Sequence, residues 1–165
     1  MFIAIISDIH DNLANLDKCL SWCRNHKIEK ILCCGDMTTG ETAAWLAANF
    51  NGEIFVIRGN IELYRENDLD KCKNIRYCGE LGIIELGGLH IGLCHEPEKI
   101  SELSEIAPQD LNFIFYGHTH KPWLSKRGSA IVVNPGNIAG TFHQATFATL
   151  DTATEKLELK LVADL

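Results

Sequence analysis

The sequence predicts an α/β fold in which two β-sheets pack face to face with helices outside. Three observations predict it. In residues 1–60, three apolar runs of strand length alternate with two helical patterns, the mark of parallel strands joined by right-handed crossovers. Beyond residue 74, short strand-like runs follow one another with turn signals, a more antiparallel pattern. At the C-terminus, apolar and polar residues alternate with period two. The length of 165 residues fits one domain spanning 1–165.

Residues 2–6 read as a buried strand that runs into Ser7-Asp8-Ile9-His10-Asp11-Asn12. Asp11 or Asn12 can cap the following helix, whose stripe is Leu13, Leu16, Leu20 and Cys23. A second strand, 31–34, ends at Gly35-Asp36, and an alanine-rich helix is expected from Gly40 to Phe50. The third strand, 53–57, ends at Arg58-Gly59-Asn60. In such alternating folds ligand loops gather at the carboxyl ends of the strands. The second half is expected to be mostly antiparallel, with strands at 75–78, 82–86 and 89–94 and Gly87-Gly88 as a hairpin turn. A short helix over 97–106 opens at Pro97. Strand 112–116 leads into Gly117-His118-Thr119-His120, a hairpin-like pair spans 122–126 and 129–133, and Asn134-Pro135-Gly136-Asn137 is a strong turn. Residues 146–150 and 156–161 read as an antiparallel pair with one wet face.

Composition narrows the function. Apolar residues make up 46% and charged residues 22%, an ordinary soluble balance. The formal charge of −7, without lysine or arginine clusters, argues against an extended nucleic acid as partner. No run approaches the roughly 18–20 apolar residues of a membrane span, and the N-terminal run reads as a strand rather than a signal peptide. Seven cysteines without a Cys-x-x-Cys pair suit free thiols in a reducing cytosol, so a cytoplasmic location is expected.

The chemistry concentrates where strands end. His118 and His120, taken alone, read as two loop histidines. They are joined, however, by Asp8, His10, Asp36, Asn60 and His95, each directly after an apolar run. Any one of these has a plain explanation as a cap or turn former. Together they supply two carboxylates, four imidazoles and one amide oxygen, the mixed donor set of two adjacent first-row metals. Asp36 is best placed to bridge them, because its loop lies between the other two.

In order, Asp8-Ile9-His10, Gly35-Asp36, Gly59-Asn60, His95 and Gly117-His118-Thr119-His120 resemble the calcineurin-like metallophosphoesterases, particularly their small single-domain bacterial and archaeal phosphodiesterase-type members. Asn134-Pro135-Gly136 resembles a further family turn. The resemblance implies an αββα four-layer fold, a β-sandwich flanked by helices. It also implies two divalent ions, with manganese first among manganese, iron, nickel and zinc. Asp8, His10, Asp36 and His120 would hold one ion. Asp36, Asn60, His95 and His118 would hold the other, with Asp36 bridging and with Asp36 and Asn60 as the catalytic residues. In such centres the ions sit about 3.5–4 Å apart, and a hydroxide held between them attacks phosphorus in line.

Two positions depart from the family pattern. Many members carry a histidine after Gly-Asn that protonates the leaving group or holds the phosphate; here the residue is Ile61. After His95 the family often continues with Gly-His; here Glu96-Pro97 follows. Isoleucine cannot donate a proton, so the expected reaction is hydrolysis of phosphodiesters or activated phosphomonoesters, with a small phosphoester or nucleotide-like substrate. The alternative is a catalytically weak or inactive protein-binding scaffold on the same fold, as the family's retromer subunit is. Oligomeric state is left open, a homo-oligomer being compatible with the sequence.

Overall fold

Among the described residues, 1–107 and 109–165 of a computed structural model, eleven strands form two sheets. The six-stranded sheet is built from β1 Phe2–Ile6, β2 Lys30–Cys33, β3 Glu53–Val56, β4 Ile75–Tyr77, β10 Thr146–Asp151 and β11 Lys156–Leu161, in the order β11-β10-β1-β2-β3-β4. The five-stranded sheet contains β5 Leu81–Leu86, β6 Leu89–Cys94, β7 Phe113–Phe115, β8 Trp123–Arg127 and β9 Ala130–Asn134, in the order β5-β6-β7-β9-β8. Helices α1 Leu13–Asn25, α2 Gly40–Asn49, α3 Glu66–Leu69 and α4 Ile100–Ile106 complete the elements, with short 3-10 turns at Pro97–Lys99 and Val162–Asp164.

Alternation along the strands separates the layers. Ile3, Ile5, Leu32, Cys34, Phe55 and Ile57 face the second sheet, where Ile91, Leu93, Phe113 and Phe115 meet them. Ala4, Ile6, Ile31, Cys33, Ile54 and Val56 point the other way, onto Leu16, Cys19, Leu20 and Cys23 of α1 and Ala43 and Leu46 of α2. The outer face of the second sheet carries Cys94, Ile114 and Val132 under Ile100 and Leu103 of α4. Helix, sheet, sheet, helix is the four-layer arrangement expected. The Asn12 side chain caps α1 by accepting from the Asn15 N–H at 3.1 Å. Thr39 caps α2 by accepting from Thr42. The seven cysteines are free thiols, and no described helix is long and apolar enough to cross a membrane.

Several expectations are corrected. The antiparallel second half does not begin at residue 75, because β4 pairs with β3 in parallel and extends the first sheet. The crossover helix that makes this possible, α3, has four residues in a charged stretch and leaves no apolar period to read. The second sheet is mixed: β6-β7 and β7-β9 are parallel, while β5-β6 and β8-β9 are antiparallel. The last two strands return to the first sheet beside β1. Strand β10 therefore has no wet face: Phe147 packs under α1, Ala148 and Leu150 lie between the sheets, and Thr146 and Thr149 are buried. Thr146 is satisfied by donating its hydroxyl to the Pro135 carbonyl at 2.8 Å. Leu13, expected to open the α1 stripe, is 38% exposed, and Cys19 takes a place in the buried stripe.

Candidate metal centre

The polar ends of strands meet because two sets of parallel strands present their carboxyl ends together. β1, β2 and β3 run parallel and deliver Asp8, Asp36 and Asn60. β6 and β7, also parallel, deliver His95 and the Gly117–His120 turn. Backbone contacts lock the loops: the Asp8 N–H donates to the Gly35 carbonyl at 3.1 Å, the Ile9 N–H to the Asp36 carbonyl at 2.8 Å, and the Gly117 N–H to the His95 carbonyl at 3.0 Å.

All seven predicted residues are brought into one cluster. The His10 and His120 Nε2 atoms are 3.2 Å apart, and His120 Nε2 is 3.2 Å from Asp8 Oδ1. His95 Nε2 lies 2.8 Å from Asn60 Oδ1 and 3.3 Å from Asp36 Oδ2. His118 Nδ1 lies 2.9 Å from the same Asn60 oxygen. Ligand atoms of Asp8, His10 and His120 all fall within 4.8 Å of one another, as do those of Asp8, Asp36 and His95. Asp8 belongs to both groups, and Asp36 Oδ2 of the second reaches towards the first, 3.8 Å from His10 Nε2 and 3.3 Å from His95 Nε2. Its other oxygen accepts the Ile61 N–H at 2.8 Å.

The donor set fits a cation. His95 Nδ1 is 2.7 Å from the Cys34 carbonyl, which can only accept, so in the neutral ring the proton sits there and Nε2 keeps a lone pair. That lone pair, the Asn60 oxygen and Asp36 Oδ2 then converge with no hydrogen among them. A proton on Nε2, through which His95 hydrogen-bonds Asp36, or a metal ion in its place satisfies these acceptors. Asp8 and Asp36 are buried, and the ion-pair partners found for them are imidazoles alone, with no lysine or arginine. Burial pushes the Asp8 carboxyl up, and nearby Asp36 adds repulsion. Burial opposes ionisation of Asp36 too, but its hydrogen bond and charge interaction with His95 prevail and lower it. The His95 imidazole is raised, because the same contacts with Asp36 outweigh burial. The buried Nδ1 of His120 has no hydrogen-bond partner.

Local backbone strain is concentrated here. Asp8, His10, Asp36, His118 and His120 all have φ between +45° and +68°. Such a conformation costs about 1–3 kcal/mol per non-glycine residue and persists where surrounding structure imposes it. Glycine solves a different problem next to these ligands. A Cβ on Gly59 would fall on the Asp36 carboxylate, and one on Gly117 on the Ser7 hydroxyl and the Asp8 carboxylate. Replacing Gly59 with alanine is expected to destabilise the chain by about 2 kcal/mol or more. That corresponds to a loss of roughly 4–8 °C in Tm by calorimetry. An unchanged Tm would show that Asp36 can move aside.

Glu62 was not anticipated. Its carboxylate accepts the N–H groups of Met37, Thr38 and Gly59 at 3.3, 2.9 and 3.3 Å, tying the loop after β2 to the loop after β3. Burial pushes its carboxyl up, against the lowering effect of the Thr38 and Gly59 amides. In the sequence it is one acid in a charged stretch; only its position two residues beyond Asn60 hints at it. Asn134 and Asn137 brace the histidine turn from below, donating to the carbonyls of Gly117 at 2.7 Å and His120 at 3.0 Å. Glu96 lies 3.8 Å from Lys99 in the adjoining turn, and the Cys34 carbonyl is the partner of His95 Nδ1. Ile61 is 48% exposed at the rim. Trp123 lines a separate apolar groove with Pro122, Leu124 and Leu159.

The model of the calcineurin-like phosphoesterase superfamily domain matches residues 1–155. A phosphodiesterase of Methanocaldococcus jannaschii is 26% identical over 171 residues, 97% of each chain. The fold is shared with a solved archaeal phosphodiesterase at a TM-score of 0.84 and 23% identity, covering 98% of this chain and 99% of that one. It is also shared with zinc-complexed Vps29 of Entamoeba histolytica at a TM-score of 0.68 and 19% identity, covering 97% of each.

Proposed function

The chain belongs to the calcineurin-like phosphoesterase superfamily, a family of metal-dependent hydrolases, and from that premise we propose a binuclear phosphoesterase acting on phosphodiesters or activated phosphomonoesters. The observation that carries this reading is the convergence of buried Asp8, Asp36 and His95 with His10, His118 and His120, with no lysine or arginine among the described residues paired to either acid. Asp8, His10, Asp36 and His120 would hold one divalent ion and Asp36, Asn60, His95 and His118 the other. Asp36 Oδ2, facing both groups, supports its role as the bridge. Manganese is the ion we favour, with iron, nickel and zinc as substitutes. Divalent ions held there would lower the pKa of bound water towards 7 and neutralise charge on the phosphoryl oxygens.

The chain's own groups prepare that chemistry. The Cys34 carbonyl fixes the tautomer of His95. The Ile61 N–H holds one Asp36 oxygen so that the other faces the cluster. The His118 N–H, 3.2 and 3.1 Å from the two Asp8 oxygens, orients the second carboxylate. Nothing at Ile61 can protonate a departing oxygen, so substrates whose leaving groups depart as stable anions are favoured. We place the enzyme in the cytoplasm and read residues 1–165 as one domain. A scaffold reading rests on Ile61 and on the fold shared with Vps29. The intact donor cluster argues against it, since buried acids kept without a cation cost stability.

The test is hydrolysis of p-nitrophenyl phosphate and bis-p-nitrophenyl phosphate by chelator-stripped protein reloaded with manganese, nickel or zinc. Turnover that appears with metal and vanishes on stripping is expected, and the faster ester distinguishes a diesterase from a monoesterase. Two ions bound per chain and no turnover of either ester would favour the scaffold. Loading should also stabilise the fold by about 2.7 kcal/mol at a hundredfold excess over Kd. At this chain length that is read as a rise of several degrees in Tm.

A further inference from the structure

Phe142 is 88% exposed, more than any other large apolar residue described. Yet its ring centroid lies 5.8 Å from that of His120, at an interplanar angle of 42°. Its φ is +64°, a region that bulky L residues rarely occupy. The loop that presents it is braced. Buried Asn137 donates to the His120 carbonyl at 3.0 Å and accepts the Thr141 N–H at 2.9 Å. The Ile138 and Ala139 N–H groups donate to the carbonyls of Ser7 and Asp8, each at 3.0 Å. Asn12 and Asn15 donate from α1 and the residue before it to the carbonyls of Ala139 and Ile138, each at 2.9 Å. The segments that set the donor cluster thus also set the ring at its edge. Apart from its contact with His120, this solvated phenylalanine packs on no core cluster among the described residues, so core packing does not account for its costly conformation.

We propose that Phe142 is a substrate platform, stacking on a planar aromatic group carried by the phosphoester while the phosphate sits at the Asp8–Asp36 cluster. The inference rests on the phosphoesterase reading and narrows it to aryl esters or nucleotides. Ile61 supports the aryl-ester arm independently: with no acid at the rim, an aryl oxygen departs most readily unprotonated, whereas the ribose oxygen of a nucleotide monoester needs a proton. The shared chemistry is an aromatic ring linked to phosphate; whether that ring is a simple aryl group or a nucleobase is for the experiment to separate.

The experiment is calorimetric binding of phenyl phosphate, uridine monophosphate and methyl phosphate to the manganese-loaded chain, with turnover of bis-p-nitrophenyl phosphate measured on the same samples. Stacking of a base on an aromatic side chain corresponds to roughly 5- to 150-fold in affinity. One or both aromatic phosphates should bind tighter than methyl phosphate by a factor in that range. A preference for phenyl phosphate assigns an aryl group, and one for the nucleotide a nucleobase. Phe142→Asn should bring the ratio to about one while leaving Tm equal or higher, because asparagine accepts positive φ more readily. Phe142→Trp should keep the preference. A structural role would instead lower Tm in Phe142→Asn and weaken all three ligands alike. Equal binding of the three ligands by the wild-type chain, no binding of any, or a ratio that survives Phe142→Asn would overturn the platform. A preference present without turnover would sustain the platform and sink the phosphoesterase reading; turnover without a preference would do the reverse.

Discussion

Asp36→Asn is expected to reduce metal-dependent turnover by about 10²–10³-fold, the scale seen when a group that stabilises transition-state charge is removed. The substitution is nearly isosteric. The amide oxygen can still accept the Ile61 N–H that Asp36 Oδ1 now holds at 2.8 Å, so the loops after β2 and β3 should stay in place. What is lost is the negative charge of the oxygen that faces both His10 and His95. The rise in Tm produced by metal should therefore shrink or disappear, while the far-ultraviolet circular dichroism of the metal-free protein stays unchanged. Full turnover in this variant would remove Asp36 from the bridging position and leave Asp8, which belongs to both groups of potential ligands, as the bridge.

Ile61→His is expected to act in the opposite direction. General acid catalysis typically contributes 10²–10⁴-fold. The position is half-exposed at the rim, and its backbone already docks on the Asp36 carboxylate, so a polar ring can replace the isoleucine at little cost to stability. Turnover of alkyl phosphate monoesters, which need a proton on the leaving oxygen, should rise within that range. Turnover of aryl esters should change far less. The informative quantity is the ratio of alkyl to aryl kcat values in wild type and variant under one metal. A ratio unaltered by the substitution would mean that the residue after Asn60 lies off the path of the leaving group.

Much of this was readable along the chain because it depends on short-range rules. The strand, turn and helix alternation through residue 60 follows from apolar runs broken by Asp8, Asp36 and Asn60. The Asn12 cap and the buried α1 stripe follow from local hydrogen bonding and helical spacing, although the stripe ran through Cys19 rather than Leu13. The donor set was legible as well, since each member stands directly after an apolar run. Glu62 was not legible, because its role lies in three amides from two loops that come together only in the folded chain.

The sequence by itself determined the layers, the residue types at the strand ends and the absence of an acid at Ile61. Periodicity and side-chain chemistry are properties of single segments, so no knowledge of pairing was needed. Only the tertiary structure decided which strands are neighbours and in which direction they run. β4 joined the first sheet through a four-residue helix with no apolar period, and β10 was buried on both faces beside β1, although its threonines suggested water. Above all, the parallel pairing of β6 with β7 and of β7 with β9 sets His95 and the Gly117–His120 turn at the same end as Asp36 and Asn60. Strand direction comes from hydrogen bonds between segments distant in sequence, and the position of Phe142 beside His120 comes from the same kind of long-range contact.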